Sequence, residues 1–265
     1  MAEAALKFDD SAAYERFMGR WSRAVAPVFL DWLGARPRAN WLDVGCGTGI
    51  LAETLLELCA PESVDAIDPA PAQVKAAQRG TAAGRAAFRV ADARKLPFPD
   101  ASFDVVASAL VINFIPERPP ALAEMRRVAR AGGLVAAYVW DFAAELSPSG
   151  PLRSAMRRFG AEVPGIPGTE ASRLEALQPL FQAAGLEKLE TRTIDVCLAY
   201  TDFQDFWQAQ TPGYAPTTKI IAAMKDSERT RLMRAVESAL PTGPNGSIEY
   251  CARANAIKAR VPSVD

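Results

Sequence analysis

A glycine-rich turn between a strand pattern and a helix pattern constrains this chain more than any other segment. It alternates glycine with other residues and runs Asp43-Val44-Gly45-Cys46-Gly47-Thr48-Gly49. Glycine at every second position lets the backbone turn tightly and approach a bound molecule where a Cβ atom would collide. The following helix begins with N–H groups that have no partner within the helix, so it can bind a carboxylate or a phosphate. A ligand site is therefore expected at this turn.

Strand and helix patterns alternate along the chain. Apolar strand patterns lie at residues 41–44, 64–67, 88–90, 103–108, 134–140, 190–198 and 248–257. Helix patterns lie at residues 11–33, 50–59, 71–80, 121–129, 170–184 and 219–239. Such alternation is typical of a doubly wound α/β sheet. We expect a Rossmann-like, mostly parallel seven-stranded sheet with a helical N-terminal cap and helical insertions near the C-terminus.

Three features interrupt this alternation of strand and helix patterns. Pro27 interrupts the first helix pattern and is expected to break or kink it. Residues 147–168 are rich in Pro and Gly, which predicts a loop or lid. Residues 201–216 form an aromatic-rich polar segment between the last two strand patterns.

The chain contains no histidine, which excludes Ser-His and Cys-His nucleophilic mechanisms and any imidazole general base. Its four cysteines are scattered and form no C-x-x-C motif, so we expect neither a metal site nor a disulfide framework. The reducing cytoplasm is then the expected location. The cysteines are Cys46, Cys59, Cys197 and Cys251.

The charges are balanced, with 30 basic and 31 acidic residues and a net charge of −1. This balance gives no strong attraction for nucleic acid. No apolar run is long enough to span a bilayer, and residues 1–10 lack the pattern of a secretory signal. We expect a small-molecule partner, no nucleic acid and no membrane span.

The glycine-rich turn resembles the first motif of class I S-adenosylmethionine-dependent methyltransferases, D-x-G-x-G-x-G after an apolar strand. A dinucleotide-binding fingerprint, G-x-G-x-x-G, would need glycine where Ile50 stands. Residues 63–69 resemble the second strand of that family. Residues 90–100 resemble the end of the third strand in its ubiquinone/menaquinone-methyltransferase-like branch. The resemblance is close over residues 38–141 and looser outside them.

The resemblance implies S-adenosyl-L-methionine as cofactor. In the family, the acid after the second strand binds the ribose hydroxyls, and the acid after the third strand binds the adenine amino group. The matching residues here are Asp68 and Asp92, although Asp68 could cap a helix and Asp92 could be a turn residue. The expected cofactor-binding residues are Tyr14, Arg20, Asp43, Gly45, Gly47, Thr48, Gly49, Asp68, Pro69, Asp92, Ala93 and Ser108.

Two of these candidates lie in the N-terminal helix pattern. Tyr14 and Arg20 are expected to close over the cofactor, with the Arg20 guanidinium on the methionyl carboxylate. The alternative is an amphipathic helix that packs Phe17, Met18 and Trp21 on the core and leaves Arg20 in water.

Candidates for catalysis are few. Asp141, after the fifth strand, is the best-placed carboxylate for a general base, and Tyr14 is the next candidate. The alternative, which is favoured for both residues, is a structural or binding role. Many family members have histidine after the fourth strand, whereas this chain has Asn113, which either orients the acceptor or is a polar residue at a strand end. Four aromatics could form an acceptor pocket or part of the core: Phe203, Phe206, Trp207 and Tyr214.

The resemblance implies transfer of a methyl group to a small-molecule acceptor by in-line displacement without histidine. The alternatives are an NAD-dependent oxidoreductase and a catalytically silent S-adenosylmethionine-binding protein. The expected organisation is a helical cap at residues 1–37 and a cofactor-binding Rossmann-like core at 38–141. Residues 142–265 are expected to form a lid, acceptor-side helices and the last two strands of the same sheet.

Overall fold

A computed structural model describes residues 11–263 and contains one sheet with the strand order β3-β2-β1-β4-β5-β7-β6. Strand β7 is antiparallel to both of its neighbours, and the pairs among β1 to β5 are parallel. The expected Rossmann-like, mostly parallel seven-stranded sheet is confirmed. Its strands are β1 (Asn40–Val44), β2 (Ser63–Asp68), β3 (Ala87–Val90), β4 (Phe103–Ala109), β5 (Ala129–Trp140), β6 (Glu187–Tyr200) and β7 (Ile248–Arg260).

Helices cover both faces of the sheet. A π-helical segment, Glu15–Gly19, joins the first two, and single 3₁₀ turns lie at Ile112–Phe114 and Thr169–Ser172. The α-helices are α1 (Ser11–Tyr14), α2 (Arg20–Leu33), α3 (Ile50–Leu58), α4 (Pro71–Ala77), α5 (Arg118–Val128), α6 (Gly150–Arg158), α7 (Leu174–Ala183), α8 (Phe203–Gln210), α9 (Pro216–Ala223) and α10 (Asp226–Ser238).

Two apolar layers hold these helices to the sheet. One layer packs α2 and α3 through residues such as Trp21, Phe29 and Leu55, all fully buried. The other packs α5 and α7 through Met125 and Phe181. Burying a large apolar side chain contributes about 1.5–3 kcal/mol, so the layers fix the helices against the strands. The strand order changes direction between β1 and β4, and ligands of such sheets bind at the carboxyl ends near that point.

Pro27, which was expected to break or kink the first helix, does not break it. Helix α2 continues through Pro27 to Leu33. Proline removes one backbone hydrogen bond, but the helix face on either side of it is anchored by Val25 and Phe29, which are fully buried. Packing on the sheet therefore outweighs the lost bond.

The segment at 147–168 is not wholly a loop, because it contains helix α6. Pro151 occupies the first turn, where its missing N–H costs nothing, and Leu152, Ala155 and Met156 recur at helical spacing and are buried. Helix α8 likewise lies within the aromatic-rich segment at 201–216. The pattern at 219–239 divides into α9 and α10.

The expectation that the cysteines form no disulfide is also wrong. Cys197 on β6 and Cys251 on β7 are directly opposite each other and are bonded, with their Cα atoms 3.9 Å apart. They are 54 residues apart in the chain, so only the strand pairing reveals their proximity. Cys46 and Cys59 are free thiols.

Two expectations concern the ends of the chain and its relation to membranes. Residues 1–10 of the expected cap, and residues 264–265, lie outside the described residues. Among the helices of residues 11–263, none is both long and apolar enough to cross a membrane.

Candidate functional site

The glycine-rich turn connects β1 to α3 and folds back against the start of the segment after β4. Gly45 has φ +85°, and a Cβ atom there would lie 2.6 Å from two methyl carbons of Val111. Gly47 has φ +52°, and a Cβ atom there would meet nothing within 4 Å. Gly45 is therefore needed for close packing, while Gly47 leaves an open backbone surface at the turn.

Asp68, the last residue of β2, holds this turn in place. One of its carboxylate oxygens accepts the N–H of Gly47 at 3.0 Å, and the other accepts the N–H of Ala70 at 2.9 Å. Burial raises the pKa of Asp68, against the lowering effect of these two bonds. A carboxylate has about four acceptor positions, so Asp68 can still accept from a ligand diol. The residue that follows it, Pro69, is exposed.

Asp43, at the end of β1, is a buried acid without a partner. Its side chain is fully buried, and neither carboxylate oxygen accepts a hydrogen bond. Burial, and secondarily the nearby Asp68, raise the pKa of Asp43 to about 8. An unpaired buried charge is strongly unfavourable, so a cationic ligand group would stabilise the ionised form.

The N-terminal segment closes on the turn. Thr48 donates its hydroxyl hydrogen to Glu15, which also accepts from Arg23 at 3.0 Å. Arg23 binds Glu53 of α3 at 3.1 Å. The carboxylates of Glu15 and Asp68 lie close enough to Tyr14 to raise the pKa of its phenol.

Tyr14 lies near Glu15 and Asp68, and its buried phenol does not suit a base. Burial, more than the nearby Glu15 and Asp68, raises the pKa of Tyr14 well above its usual range. Its phenol therefore stays protonated near neutral pH. Tyr138 on β5 is a second buried phenol, near both Asp43 and Tyr14.

The structure does not bring Arg20 to the glycine-rich turn. Its guanidinium pairs with Asp205 at 3.0 Å, donates to the carbonyl oxygen of Ala199 at 2.9 Å, and lies 4.4 Å from the ring centroid of Tyr200. Arg20 thus connects α2 to β6 and α8. The role of Arg20 as the partner of a methionyl carboxylate finds no support in this arrangement.

Asp92 and Ala93 follow β3, at the strand end next to Asp68. The Asp92 carboxylate binds Arg94 through Nε at 3.0 Å and Nη2 at 2.7 Å, and these bonds lower its pKa. Its side chain is 46% exposed, so the remaining acceptor positions are open to a ligand. The backbone N–H of Ala91 donates to the carbonyl oxygen of Asp68, which ties the two strand ends together.

Two buried polar side chains lie at the end of β4 and in the 3₁₀ turn that follows it. Ser108, near the end of β4, is fully buried, and its hydroxyl has no partner. Asn113 is 1% exposed; its Nδ2 donates to the carbonyl oxygen of Pro167 at 3.1 Å, and its Oδ1 has no partner. Asn113 therefore keeps one acceptor for a bound molecule.

Asp141 is engaged in a turn. Its backbone N–H donates to the carbonyl oxygen of Arg253, and its carboxylate accepts the N–H of Ala144 at 3.0 Å.

Among the aromatics considered for an acceptor pocket, Phe206 and Trp207 are buried, and Phe206 packs with Tyr200. This packing supports their interpretation as core residues.

In a comparison with known families, residues 42–137 match the methyltransferase domain family. These residues form a class I methyltransferase domain. The match spans β1 to β5 and includes Asp43, the glycine-rich turn, Asp68 and Asp92. It confirms the resemblance to S-adenosylmethionine-dependent methyltransferases seen in the sequence.

Two curated relatives that match this chain are named as methyltransferases. The chain is 33% identical over 134 residues to a malonyl-[acyl-carrier protein] O-methyltransferase of Serratia marcescens, and the aligned region covers 51% of this chain and 48% of that protein. It is 38% identical over 117 residues to a ubiquinone/menaquinone biosynthesis C-methyltransferase of Paracoccus denitrificans, which covers 43% of this chain and 45% of that one. The chain thus spans about half the length of these curated relatives.

A solved structure shows the same fold around the methyltransferase domain. The YcgJ protein of Bacillus subtilis superposes with a TM-score of 0.57 at 19% identity. The superposition covers 92% of this chain and 100% of that one. The likeness therefore includes the helices and strands after residue 137 and supports one continuous fold.

Proposed function

We propose that this protein transfers the methyl group of S-adenosylmethionine to a small-molecule acceptor. The observation that carries the proposal is the unpaired, buried carboxyl group of Asp43 beside the open backbone of Gly47. The ammonium group of an amino-acid ligand would give the Asp43 carboxylate an ionic partner.

The other residues fit the remaining parts of this cofactor. Asp68 has acceptor positions left for the ribose hydroxyls after binding Gly47 and Ala70. Asp92 and the backbone of Ala93, one strand further along, fit the adenine. Val111 packs against Gly45 and fixes the turn from the other side. This division of roles follows from the order of β1, β2 and β3 in the sheet.

The bound cofactor supplies a methyl group activated by a sulfonium, and the protein's part is to position the acceptor and exclude water. A water-poor wall beside the reacting groups would favour transfer from a sulfonium. Buried Tyr138 and Trp140 on β5 provide such a wall. Asn113 can orient the acceptor through its free Oδ1. Holding the acceptor in line with the methyl group can supply much of the rate.

Calorimetric titration with S-adenosylhomocysteine and with NAD tests the cofactor assignment. We expect binding of S-adenosylhomocysteine only, because Ile50 replaces the third glycine of the dinucleotide fingerprint. Asp68→Ala should weaken this binding roughly 10–100-fold, the effect of losing bonds to a charged group. Asp65→Ala, on the same strand but paired with Arg89, is the matched control and should bind normally.

Release of S-adenosylhomocysteine across an acceptor panel then separates an enzyme from a silent binding protein. Binding of NAD in place of S-adenosylhomocysteine would overturn the proposal, as would equal affinities of the Asp68→Ala and Asp65→Ala variants. We further propose a cytoplasmic location and a small metabolite as the partner; the balanced charge of the chain gives no strong attraction for nucleic acid.

A further inference from the structure

A cavity of about 240 Å³ lies under the loop that follows β5. Phe142, two residues beyond β5, forms part of its wall. The ring of Phe142 contacts that of Phe114, just after β4, with 6.2 Å between centroids. The cavity therefore borders the carboxyl ends of β4 and β5, where an acceptor must approach the cofactor of a class I domain.

The charges that line this cavity are unbalanced. Glu145, Arg153 and Arg157 all line it. Glu145 and Arg157 form an ion pair with each other. Within residues 11–263, no carboxylate lies within ion-pair distance of Arg153, and its side chain donates to the carbonyl oxygen of Pro164. The cavity thus carries one net positive charge, located on Arg153.

This situation is unusual for a partly buried arginine in this chain. Arg20 and Arg127, at 35% and 31% side-chain exposure, each pair with a carboxylate. Arg118 lacks one but donates to two backbone carbonyls, those of Ile112 and Asn113. Burial, and then the nearby Arg157, lower the pKa of Arg153 despite the opposing influence of Glu145. An anion beside Arg153 would relieve both effects.

We propose that this cavity binds a carboxylate group of the methyl acceptor through the guanidinium of Arg153. The inference rests on the proposed methyl transfer and adds the chemical class of the acceptor. A single net positive charge matches a monoanion, whereas a phosphate monoester carries about −1.5 to −2. The planar guanidinium also presents two parallel N–H groups to a carboxylate.

The size and the walls of the cavity define the rest of the acceptor. Pockets for whole ligands measure about 300–1,000 Å³, so this smaller cavity holds one end of the molecule. Its apolar walls include Phe142, Val163 and Ile166, which suit an apolar body next to the carboxylate. The acceptor is thus an apolar carboxylic acid whose other end reaches the methyl group.

The same loop connects Arg153 to the centre of the site. Pro164 accepts from Arg153, and three residues later Pro167 accepts from Asn113. A carboxylate on Arg153 therefore lies next to the loop that positions Asn113. Recognition of the acid and orientation of the reacting end share this one loop.

Matched pairs of acids and amides test the proposal by ligand-observed NMR on the protein saturated with S-adenosylhomocysteine. The probes are phenylacetate, cinnamate and hexanoate, each with its primary amide. We expect the acids to bind about 10-fold or more tightly than their amides, the effect of a charge-assisted hydrogen bond. Arg153→Gln should abolish this preference, Arg153→Lys should retain part of it, and Arg158→Gln, on the same helix outside the cavity lining, should keep it.

Equal binding of acid and amide, or no binding of any acid, would overturn the acceptor assignment. A preserved acid preference in Arg153→Gln would also overturn it. The affinity for S-adenosylhomocysteine is measured on the same samples and should not change in these variants. If the wild-type protein does not bind S-adenosylhomocysteine, the proposed function itself is contradicted. Failure of the acceptor assignment is therefore distinguishable from failure of the proposed function. If Arg153→Gln does not fold, Arg153→Lys still decides, because an undiminished acid-to-amide ratio there contradicts recognition by the guanidinium.

Discussion

The hydroxyl of Thr48 in the glycine-rich turn donates to the carboxylate of Glu15, 33 residues earlier in the chain. Glu15 in turn binds Arg23, and Arg23 binds Glu53 on α3. The N-terminal segment is thereby attached to the residues that are proposed to bind the cofactor. Ligand binding and the ordering of this segment should therefore be coupled.

Thr48→Val removes the hydroxyl that holds Glu15. A part-buried hydrogen bond to a charged group contributes about 1.5–3 kcal/mol, so the affinity for S-adenosylhomocysteine should fall about 10-fold. Backbone hydrogen exchange at residues 11–33 should be faster in the variant than in the wild-type protein. When the wild-type protein binds the ligand, exchange should become slower at residues 11–33 and at residues 147–168. Thr54→Val, which loses only a bond to Ile50 within α3, is the control. Equal protection with and without ligand would contradict the coupling.

Asp43 predicts a proton release on cofactor binding. In the free protein its pKa is raised to about 8, so the carboxyl is protonated at neutral pH. A ligand ammonium group stabilises the ionised form, so its binding should release close to one proton. Calorimetry in two buffers of different ionisation enthalpy measures this number. Asp43→Asn should bind more weakly without proton release, and an unchanged release in that variant would show that another group supplies the proton.

The same group affects the stability of the free protein. A carboxyl whose folded-state pKa lies above its unfolded value contributes most stability below the unfolded pKa, and this contribution decreases as the pH rises through the folded pKa. The window for Asp43 runs from 3.8 to about 8. The Tm of the free wild-type protein should therefore fall more steeply across this window than that of Asp43→Asn.

Gly45→Ala and Gly47→Ala should separate folding from binding. The new Cβ of Gly45→Ala would collide with Val111, and an overpacked core costs about 1–3 kcal/mol beyond the strain of a positive φ. Gly47→Ala has open space, so urea unfolding should show only the cost of its φ, about 1–2 kcal/mol, together with a loss of cofactor affinity. Val111→Ala should partly restore stability in the Gly45→Ala background. Equal destabilisation by the two single variants would argue against the steric explanation.

The local features of the site were predictable from sequence, whereas its distant partners were not. The turn at Gly45 to Gly49 and the acid at Asp68 follow from short patterns, since one βα unit sets their spacing. Arg20 shows the limit, because its partner Asp205 lies 185 residues away and nothing near Arg20 in sequence indicates it. The contact of Glu15 with Thr48 depends on how the N-terminal helix packs on the sheet, which periodicity does not reveal.

Helix α6 was missed for a different reason. Its neighbourhood is rich in Pro and Gly, which favoured a loop, although Pro151 is compatible with a first helical turn. Arg153 lies on this helix, so treating the segment as a loop also hid the charged cavity. The spacing of Leu152, Ala155 and Met156 was the signal that could have identified both.

The disulfide between Cys197 and Cys251 should stabilise the edge of the sheet. Bridges of this kind typically contribute about 2–4 kcal/mol, so a reducing agent should lower the free energy of unfolding by that amount. The protein denatured without reductant should show two thiols, Cys46 and Cys59, and four after reduction. Cys59→Ser should leave the effect of reduction unchanged. Four thiols in protein alkylated inside the cell would show that the pair is reduced there, as the proposed cytoplasmic location favours.

The last prediction concerns the proton that some acceptors must lose. The chain has no histidine, and Tyr14 stays protonated near neutrality because burial raises its pKa, so the pH profile of methyl transfer should follow the ionisation of the acceptor. Asp141 already accepts the N–H of Ala144, and Asn at this position offers the same acceptor oxygen. We therefore expect Asp141→Asn to keep most of its kcat, whereas removal of a general base lowers kcat about 10²–10⁴-fold. Measurement of kcat against pH for both proteins decides between these outcomes. A loss of that size in Asp141→Asn would make Asp141 the base, and a rate limb near pH 6.5 that persists for every acceptor would require another titrating group in the site.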